Sequence, residues 1–168
     1  MKSLIILLFL SLPLFALEDK QVLIHSISQH AITIGTGENK VYIFVDPLCP
    51  MSQTFIQEIF IRQDLQKTST YYIFLYQLPR FSSDFLISHI YQSKDPFYAF
   101  EDIILFEEYD ITEEPIKQST LKIIQDIKTV GKKMQITTSP YILSFDKASH
   151  YYRSSKGSAP STQENVFD

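Results

Sequence analysis

Hydrophobic and polar positions repeat along the chain with two different periods. Stretches that alternate with a period of two and are rich in β-branched and aromatic residues predict strands. Such stretches lie at 22–27, 31–34, 41–45, 71–78 and 141–146, with a short candidate edge strand at 150–153. Turn residues separate the first three, which predicts hairpin pairing among them. The strands at 41–45 and 71–78 are apolar on both faces, so we expect them to be central and covered by helices on both sides.

Apolar residues recur at helical spacing in three other stretches, 51–66, 81–110 and 115–131. We expect the second to break near Asp95-Pro96, because the residue before a proline is disfavoured in a helix. In the third, Pro115 can open the helix and Gly131 can close it. Its apolar face would comprise Ile116, Ile123, Ile124, Ile127 and Val130. Strands joined by helices predict an α/β (α+β) fold, with a mixed central sheet flanked by helices.

The N-terminus has the pattern of a secretory signal. Lys2 precedes an apolar run from Leu4 to Phe15, and a small residue, Ala16, offers a cleavage point. The alternative is an uncleaved membrane anchor, but the run is shorter than the ~20 residues needed to span a bilayer and contains Pro13. We therefore expect a signal peptide at 1–16, an exported domain at 17–153 and no stable membrane insertion after cleavage.

Composition limits the choice of function. The chain has 168 residues, of which 45% are apolar and 20% charged, which fits one globular domain. Its net charge of −4 and scattered cations make nucleic acid an unexpected partner. The four histidines and one cysteine show no metal-ligand spacing, so we expect no metal and no cofactor. The Ser-rich tail at 154–168 has no apolar periodicity and is expected to be disordered.

The single cysteine, Cys49, lies in the stretch DPLCPMS between a predicted buried strand and a predicted helix. A helix N-terminus stabilises a thiolate, which is the form of cysteine that attacks disulfides. Residues at the carboxyl end of a central strand also tend to be exposed at functional crevices. The alternative is that Cys49 is a small buried hydrophobic residue, as many free cysteines are. A Cys-His hydrolase has no supporting local signature.

Three segments carry a resemblance to a known family. VYIFVDPLCPMSQTFIQEI resembles the active-site strand, turn and helix of thioredoxin-fold proteins, and its F-x-D-P-x-C-P form is similar to bacterial periplasmic disulfide isomerases of the DsbC and DsbG type. YYIFLYQLPRFSSDFLISHIYQSKDPFYAFED resembles that family's aromatic strand, proline-arginine step and helical insertion, here about 81–114. ITTSPYILSFD resembles the loop in which a cis-proline, here Pro140, lies against the active-site cysteine. An ordinary proline opening a strand is the alternative for Pro140.

The resemblance implies a thioredoxin-like fold and assigns roles to particular residues. Cys49 would be the nucleophile, and substrate would contact Pro50 and Met51 beside it and Ser139 and Pro140 in the loop. Three features depart from the family pattern. Ser52 stands where the second cysteine of C-x-x-C is expected, the stretch between the expected signal and Ala31 is far too short for the family's N-terminal dimerisation domain, and Tyr91, Gln92 and Ser93 occupy a region where a further cysteine is expected.

Ser52 restricts the chemistry, because a hydroxyl does not attack a mixed disulfide. The leading hypothesis is a periplasmic monothiol protein that exchanges or isomerises disulfides through Cys49. Its partners would be cysteine-containing envelope proteins or an upstream redox partner. The alternatives are a redox-inactive binding or assembly module and, by analogy alone, a glutathione-dependent thiol exchanger. Asp46 either tunes the thiol or caps the turn, and the cap is the usual role of Asp before a helix.

Overall fold

The strands that are apolar on both faces form the centre of the sheet. The computed structural model describes residues 15–106, 115–145 and 152–156. Five strands run in the order β1-β3-β2-β4-β5, and only the neighbours β2 and β3 are parallel. They are β1 (Ile32–Ile34), β2 (Asn39–Val45), β3 (Ser69–Leu75), β4 (Tyr141–Phe145) and β5 (Tyr152–Lys156). The mixed sheet confirms the predicted fold class.

Helices connect and cover these strands. They are α1 (Phe15–Ile27), α2 (Pro50–Ile61), α3 (Gln63–Thr68), α4 (Asp84–Gln92), α5 (Pro96–Phe106) and α6 (Gln118–Lys133). The α2–α3 pair makes the crossover between the parallel strands β2 and β3. The α4–α5 pair follows β3, with its break at Asp95-Pro96 as predicted. Ile43, Phe44 and Val45 of β2 are almost fully buried, which agrees with a strand covered on both faces.

The N-terminal segment differs from its predicted strand. Residues 22–27 belong to α1, where Ile24 and Ile27 are buried while Val22 is exposed. A buried spacing of three fits one face of a helix, and the short apolar run does not distinguish the two periods by itself. The predicted hairpin is also wrong, because β1 pairs with β3. Residues 1–14 lie outside the described residues, so the signal peptide remains a prediction.

The loop before β2 contacts the α3–β3 junction. Thr36 donates a backbone hydrogen bond to Gln66 of α3, and Gly37 donates one to Ser69 at the start of β3. A side chain at Gly37 would overlap the backbone of Thr68 and Ser69. The glycine therefore permits the loop to pass directly over the neighbouring chain.

Several predicted boundaries shift by a few residues. The helix expected at 51–66 is interrupted at Arg62, whose backbone is extended, and the strand expected at 71–78 starts earlier and ends at Leu75. The edge strand expected at 150–153 lies at 152–156, so the first three residues of the predicted tail are in β5. The remainder of that tail, 157–168, and the insertion residues 107–114 lie outside the described residues.

Helix α6 neither opens at Pro115 nor closes at Gly131. It begins at Gln118, which leaves Ile116 exposed, and Gly131 lies within its last turn. The helix ends in a Schellman motif, in which Gln135 adopts a φ of 57° and the amide of Ile136 donates to the carbonyl of Gly131. Gly131 is needed for another reason, since a Cβ there would overlap the ring of Tyr76.

We expect Gly131→Ala to lower the free energy of unfolding by about 1 to 3 kcal/mol, because inserting an atom into a packed contact forces side chains to shift. Alanine also favours a helix by up to about 1 kcal/mol over glycine, which only partly offsets that loss. Urea unfolding followed by circular dichroism measures the change. Lys132→Ala, at an exposed position of the same turn, should change stability by less than about 0.5 kcal/mol. Equal stability of the two variants would contradict the close packing of Gly131 on Tyr76.

Candidate functional site

Cys49 lies where β2 gives way to α2, as the sequence predicted. It is the N-cap residue of α2, and Pro50 occupies the first helical position. The amide of Cys49 donates to the carbonyl of Asp46 (3.0 Å), and its carbonyl accepts from the amide of Gln53 (3.0 Å). A tight turn thus passes directly into the helix. The sulfur is therefore placed at the positive end of the helix dipole.

Asp46 caps the turn that carries the cysteine. Its side chain is fully buried, and its two carboxylate oxygens accept from backbone amides of Leu48 (3.0 Å) and Leu78 (2.7 Å). The first contact closes the turn, and the second connects the end of β2 to the segment that follows β3. Of the two roles left open by the sequence, these contacts support the cap.

The thiol itself is buried, which corrects the expectation of an exposed crevice residue. Only 2% of Cys49 is accessible to solvent. The thiol Sγ donates to the backbone carbonyl of Ser139, 3.3 Å away, in the loop that precedes β4. Ser139 and Pro140 are buried as well, because this loop packs against the turn at the start of α2. The Ser139–Pro140 peptide bond is cis, as the resemblance implied.

Ser52 and Ser139 join the helix to this loop. Their hydroxyl oxygens are 2.6 Å apart, and either can donate. The Ser139 hydroxyl also accepts from the backbone amide of Asp46 at 2.8 Å. Both serines are buried, so the Ser52 hydroxyl has a hydrogen-bond partner in the interior. The Ser52 hydroxyl therefore helps to hold α2 against the loop that precedes β4.

Arg80 is a site residue to which the sequence argument assigned no role. Its Nη2 atom lies 4.0 Å from Cys49 Sγ, at the outer limit for a hydrogen bond to sulfur. The guanidinium also lies 4.9 Å from the centre of the Phe81 ring, within the range of a cation–π contact. The sulfur thus contacts a positive charge as well as the Ser139 carbonyl. The available signal was the proline-arginine step at Pro79-Arg80.

The remaining predicted contact residues divide into two kinds. Pro50 and Met51 are exposed beside Cys49, and Met51 retains 43% of its accessible surface. Ser139 and Pro140 are buried, so their side chains are not presented at the surface. The helix start that carries Pro50 and Met51 thus lies against the loop that carries Ser139 and Pro140. Only the two residues on the helix are exposed.

Other chemistry is sparse in the part of the chain that the structure describes. No group of three or more His, Cys, Asp or Glu side chains there is arranged to hold a metal ion. His30 instead contacts Asp126 of α6 at 3.3 Å, and Lys122 contacts the same carboxylate at 2.8 Å. These contacts lower the pKa of Asp126, with the hydrogen bond from Lys122 as the largest cause. None of the described helices is both long and apolar enough to cross a membrane.

Sequence comparison finds no matching protein-family model and no matching curated protein. Solved structures do match. A disulfide interchange protein from Neisseria gonorrhoeae superposes with a TM-score of 0.59 at 17% identity, over 79% of this chain and 89% of that one. The catalytic domain of Proteus mirabilis ScsC gives 0.53 at 16% identity, over 75% and 85%.

A third similar structure is Helicobacter pylori DsbG, with a TM-score of 0.57 at 16% identity. The match covers 79% of this chain and 65% of DsbG, so the chain spans just under two thirds of that protein. Identities this low carry information on the fold alone. The fold of this chain is thioredoxin-like, as the sequence resemblance predicted.

Proposed function

We propose that the protein is an exported monothiol protein that exchanges or isomerises disulfides of other proteins through Cys49. The main observation in support is the position of the only thiol. It lies at the N-cap of α2, against the loop of Ser139 and Pro140 and beside the guanidinium of Arg80. Reactive cysteines are commonly found at helix N-termini and beside cationic side chains, which is the setting of Cys49. The solved structures with this fold include one named a disulfide interchange protein.

The exchange consists of two balanced steps. The Cys49 thiolate attacks one sulfur of a substrate disulfide, forms a mixed disulfide and releases the other substrate sulfur as a thiolate. A second thiolate, from the substrate or from a small thiol, then attacks the mixed disulfide and regenerates Cys49. No electrons are gained or lost by the protein over the cycle. Ser52 takes no part in the transfer, since its hydroxyl is weakly nucleophilic toward sulfur and is hydrogen-bonded to Ser139.

Substrate access requires a local rearrangement at the thiol. The S–H group of Cys49 must leave the Ser139 carbonyl and lose its proton to solvent, and the sulfur must become accessible. The exposed Arg80 side chain can move away without unpacking the core. The contacts of the sulfur that must break include one weak S–H···O bond and the contact with one surface side chain.

A second candidate is a redox-inactive binding module that uses the same region without covalent chemistry. The observation that favours it is the burial of Cys49, whose thiol is already hydrogen-bonded to the loop. The exposed Pro50 and Met51 would then contact a partner directly. In either case we propose a periplasmic location, with cysteine-containing envelope proteins or an upstream redox partner as binding partners.

We expect the wild-type protein, expressed in a bacterial envelope and trapped with an alkylating agent, to form mixed disulfides that appear as high-mass bands on non-reducing gels. Cys49→Ala should remove every such band, because it removes the only thiol. Ser52→Ala is the matched control and should retain them, since it deletes a neighbouring hydroxyl and leaves the sulfur. Co-purification of the same partners with Cys49→Ala, without any covalent bands from the wild type, would favour the binding module.

We expect Ser52→Cys to convert the protein into a dithiol that forms an internal disulfide and supports net oxidation or reduction of substrates. The reason is that Cys49 is the N-cap of α2 and position 52 is three residues later, so the two sulfurs would be neighbours on one side of the first helical turn. Thiol counting after mild oxidation, together with insulin reduction, measures both properties.

The control for this change is Ser52→Ala, which also loses the contact with Ser139 but gains no sulfur. It should show neither the disulfide nor insulin reduction. If Ser52→Cys keeps two free thiols under the same oxidation and its unfolding curve shows a folded protein, the thioredoxin-like placement of the turn is wrong.

A further inference from the structure

Arg80 has an unusual set of partners for an arginine on the surface. Its contacts are the sulfur of Cys49 at 4.0 Å and the ring of Phe81 at 4.9 Å, and neither is a carboxylate. Arg62 is the natural comparison, because its guanidinium is paired with Glu58 (3.4 Å) and Asp64 (2.6 Å). Among the described residues, Arg80 therefore has no acidic partner.

Two carboxylates that contact Gln77 and Leu78, shortly before Arg80 in the chain, are already engaged. Both oxygens of Asp46 accept from backbone amides, those of Leu48 and Leu78. Asp84, in the first turn of α4, contacts Gln77 at 2.6 Å and Lys128 at 3.5 Å. A guanidinium carries five N–H donors in a planar fork that fits a carboxylate, so Arg80 retains donors for an incoming anion.

The exchange reaction itself changes the charge that Arg80 faces. In the attacking form, after Cys49 has lost its proton, the neighbouring sulfur is a thiolate. Once Cys49 forms its mixed disulfide, that sulfur is neutral and the negative charge has left with the released substrate thiolate. The guanidinium then lacks its anionic neighbour, and a carboxylate on the bound partner can replace it.

We propose that Arg80 makes Cys49 selective for disulfides and thiols that carry a carboxylate close to the sulfur, an inference that rests on the proposed function. Two sources share this chemistry. One is a protein segment in which an acidic residue adjoins the reacting cysteine, and the other is a small peptide thiol such as glutathione, whose carboxylates accompany its sulfur. In both, the carboxylate would pair with Arg80 while the sulfur is bonded to Cys49.

Three small disulfides with the same two-methylene spacer provide a direct test: 3,3′-dithiodipropionate, 2-hydroxyethyl disulfide and cystamine, which are anionic, neutral and cationic. The full chain is purified in the reduced state, and mass spectrometry follows the rate at which each reagent modifies Cys49. Each rate is divided by the rate of the same reagent with 2-mercaptoethanol, which removes differences in intrinsic reactivity.

For the wild type we expect the corrected rate with the anionic reagent to exceed that with the cationic one by about fivefold, and this ratio to shrink at high salt. Arg80→Gln should bring the ratio close to or below one. Arg80→Lys should restore part of it, because it restores the charge without the planar fork. Arg62→Gln removes an arginine that is already paired and should keep the wild-type ratio.

The ratio separates selectivity from activation, since any loss of thiolate in Arg80→Gln slows all three reagents equally. An identical ratio in wild type and Arg80→Gln, with all three disulfides still reacting, would overturn this proposal and leave monothiol exchange standing. If no reagent modifies native Cys49 although all react in urea, both proposals are wrong.

Larger disulfides distinguish the two possible sources of the carboxylate, a protein segment and a small peptide thiol. Oxidised glutathione is compared with two disulfide-linked peptides that differ only in Glu or Gln beside the cysteine. An Arg80-dependent preference for the Glu peptide supports an acidic protein segment, and an Arg80-dependent rate with glutathione alone supports a small thiol. Equal dependence on Arg80 for the Glu and Gln peptides, with none for glutathione, would contradict a carboxylate contact.

Discussion

The site depends on the hydrogen bonds of the Ser139 hydroxyl. This one oxygen accepts the amide of Asp46 at the end of β2 and contacts the hydroxyl of Ser52 in α2. It therefore fixes the loop before β4 against both the strand and the helix between which Cys49 lies. The Ser139 carbonyl is placed by the same anchoring, and that carbonyl accepts the thiol. Buried polar networks of this kind are specific because each unsatisfied member would destabilise the folded state.

The sulfur of Cys49 has two kinds of neighbour. It donates to the carbonyl of Ser139 in the closed arrangement, and it also lies at the N-terminus of α2 and 4.0 Å from the guanidinium of Arg80. A partner that displaces the sulfur from the carbonyl removes the first contact while the helix dipole remains. Binding and activation of the thiol would then be coupled through geometry alone, without a second catalytic side chain.

Long patterns and motifs were predictable from the sequence, and contacts between distant segments were not. The doubly apolar strands, the break at Asp95-Pro96 and the turn that ends in Cys49 depend on local residue types, and each was predicted. Segment 22–27 was misassigned because its burial is decided by packing within the fold, and Gly131 because a glycine near a helix end commonly marks the C-cap. The contact between Arg80 and Cys49 and the burial of Cys49 both depend on the packing of segments some 30 to 90 positions apart in the sequence.

The strand order has a consequence for the way the chain is made. β1 has no partner among the segments beside it in sequence and pairs with β3, whose residues begin at Ser69. A chain that emerges N-terminus first therefore exposes Ile32 to Ile34 until the parallel unit of β2 and β3 has followed. Strand β1 would remain open to other binding factors during that interval, and it would join the edge of the sheet only after the crossover helices had formed and β3 had been added.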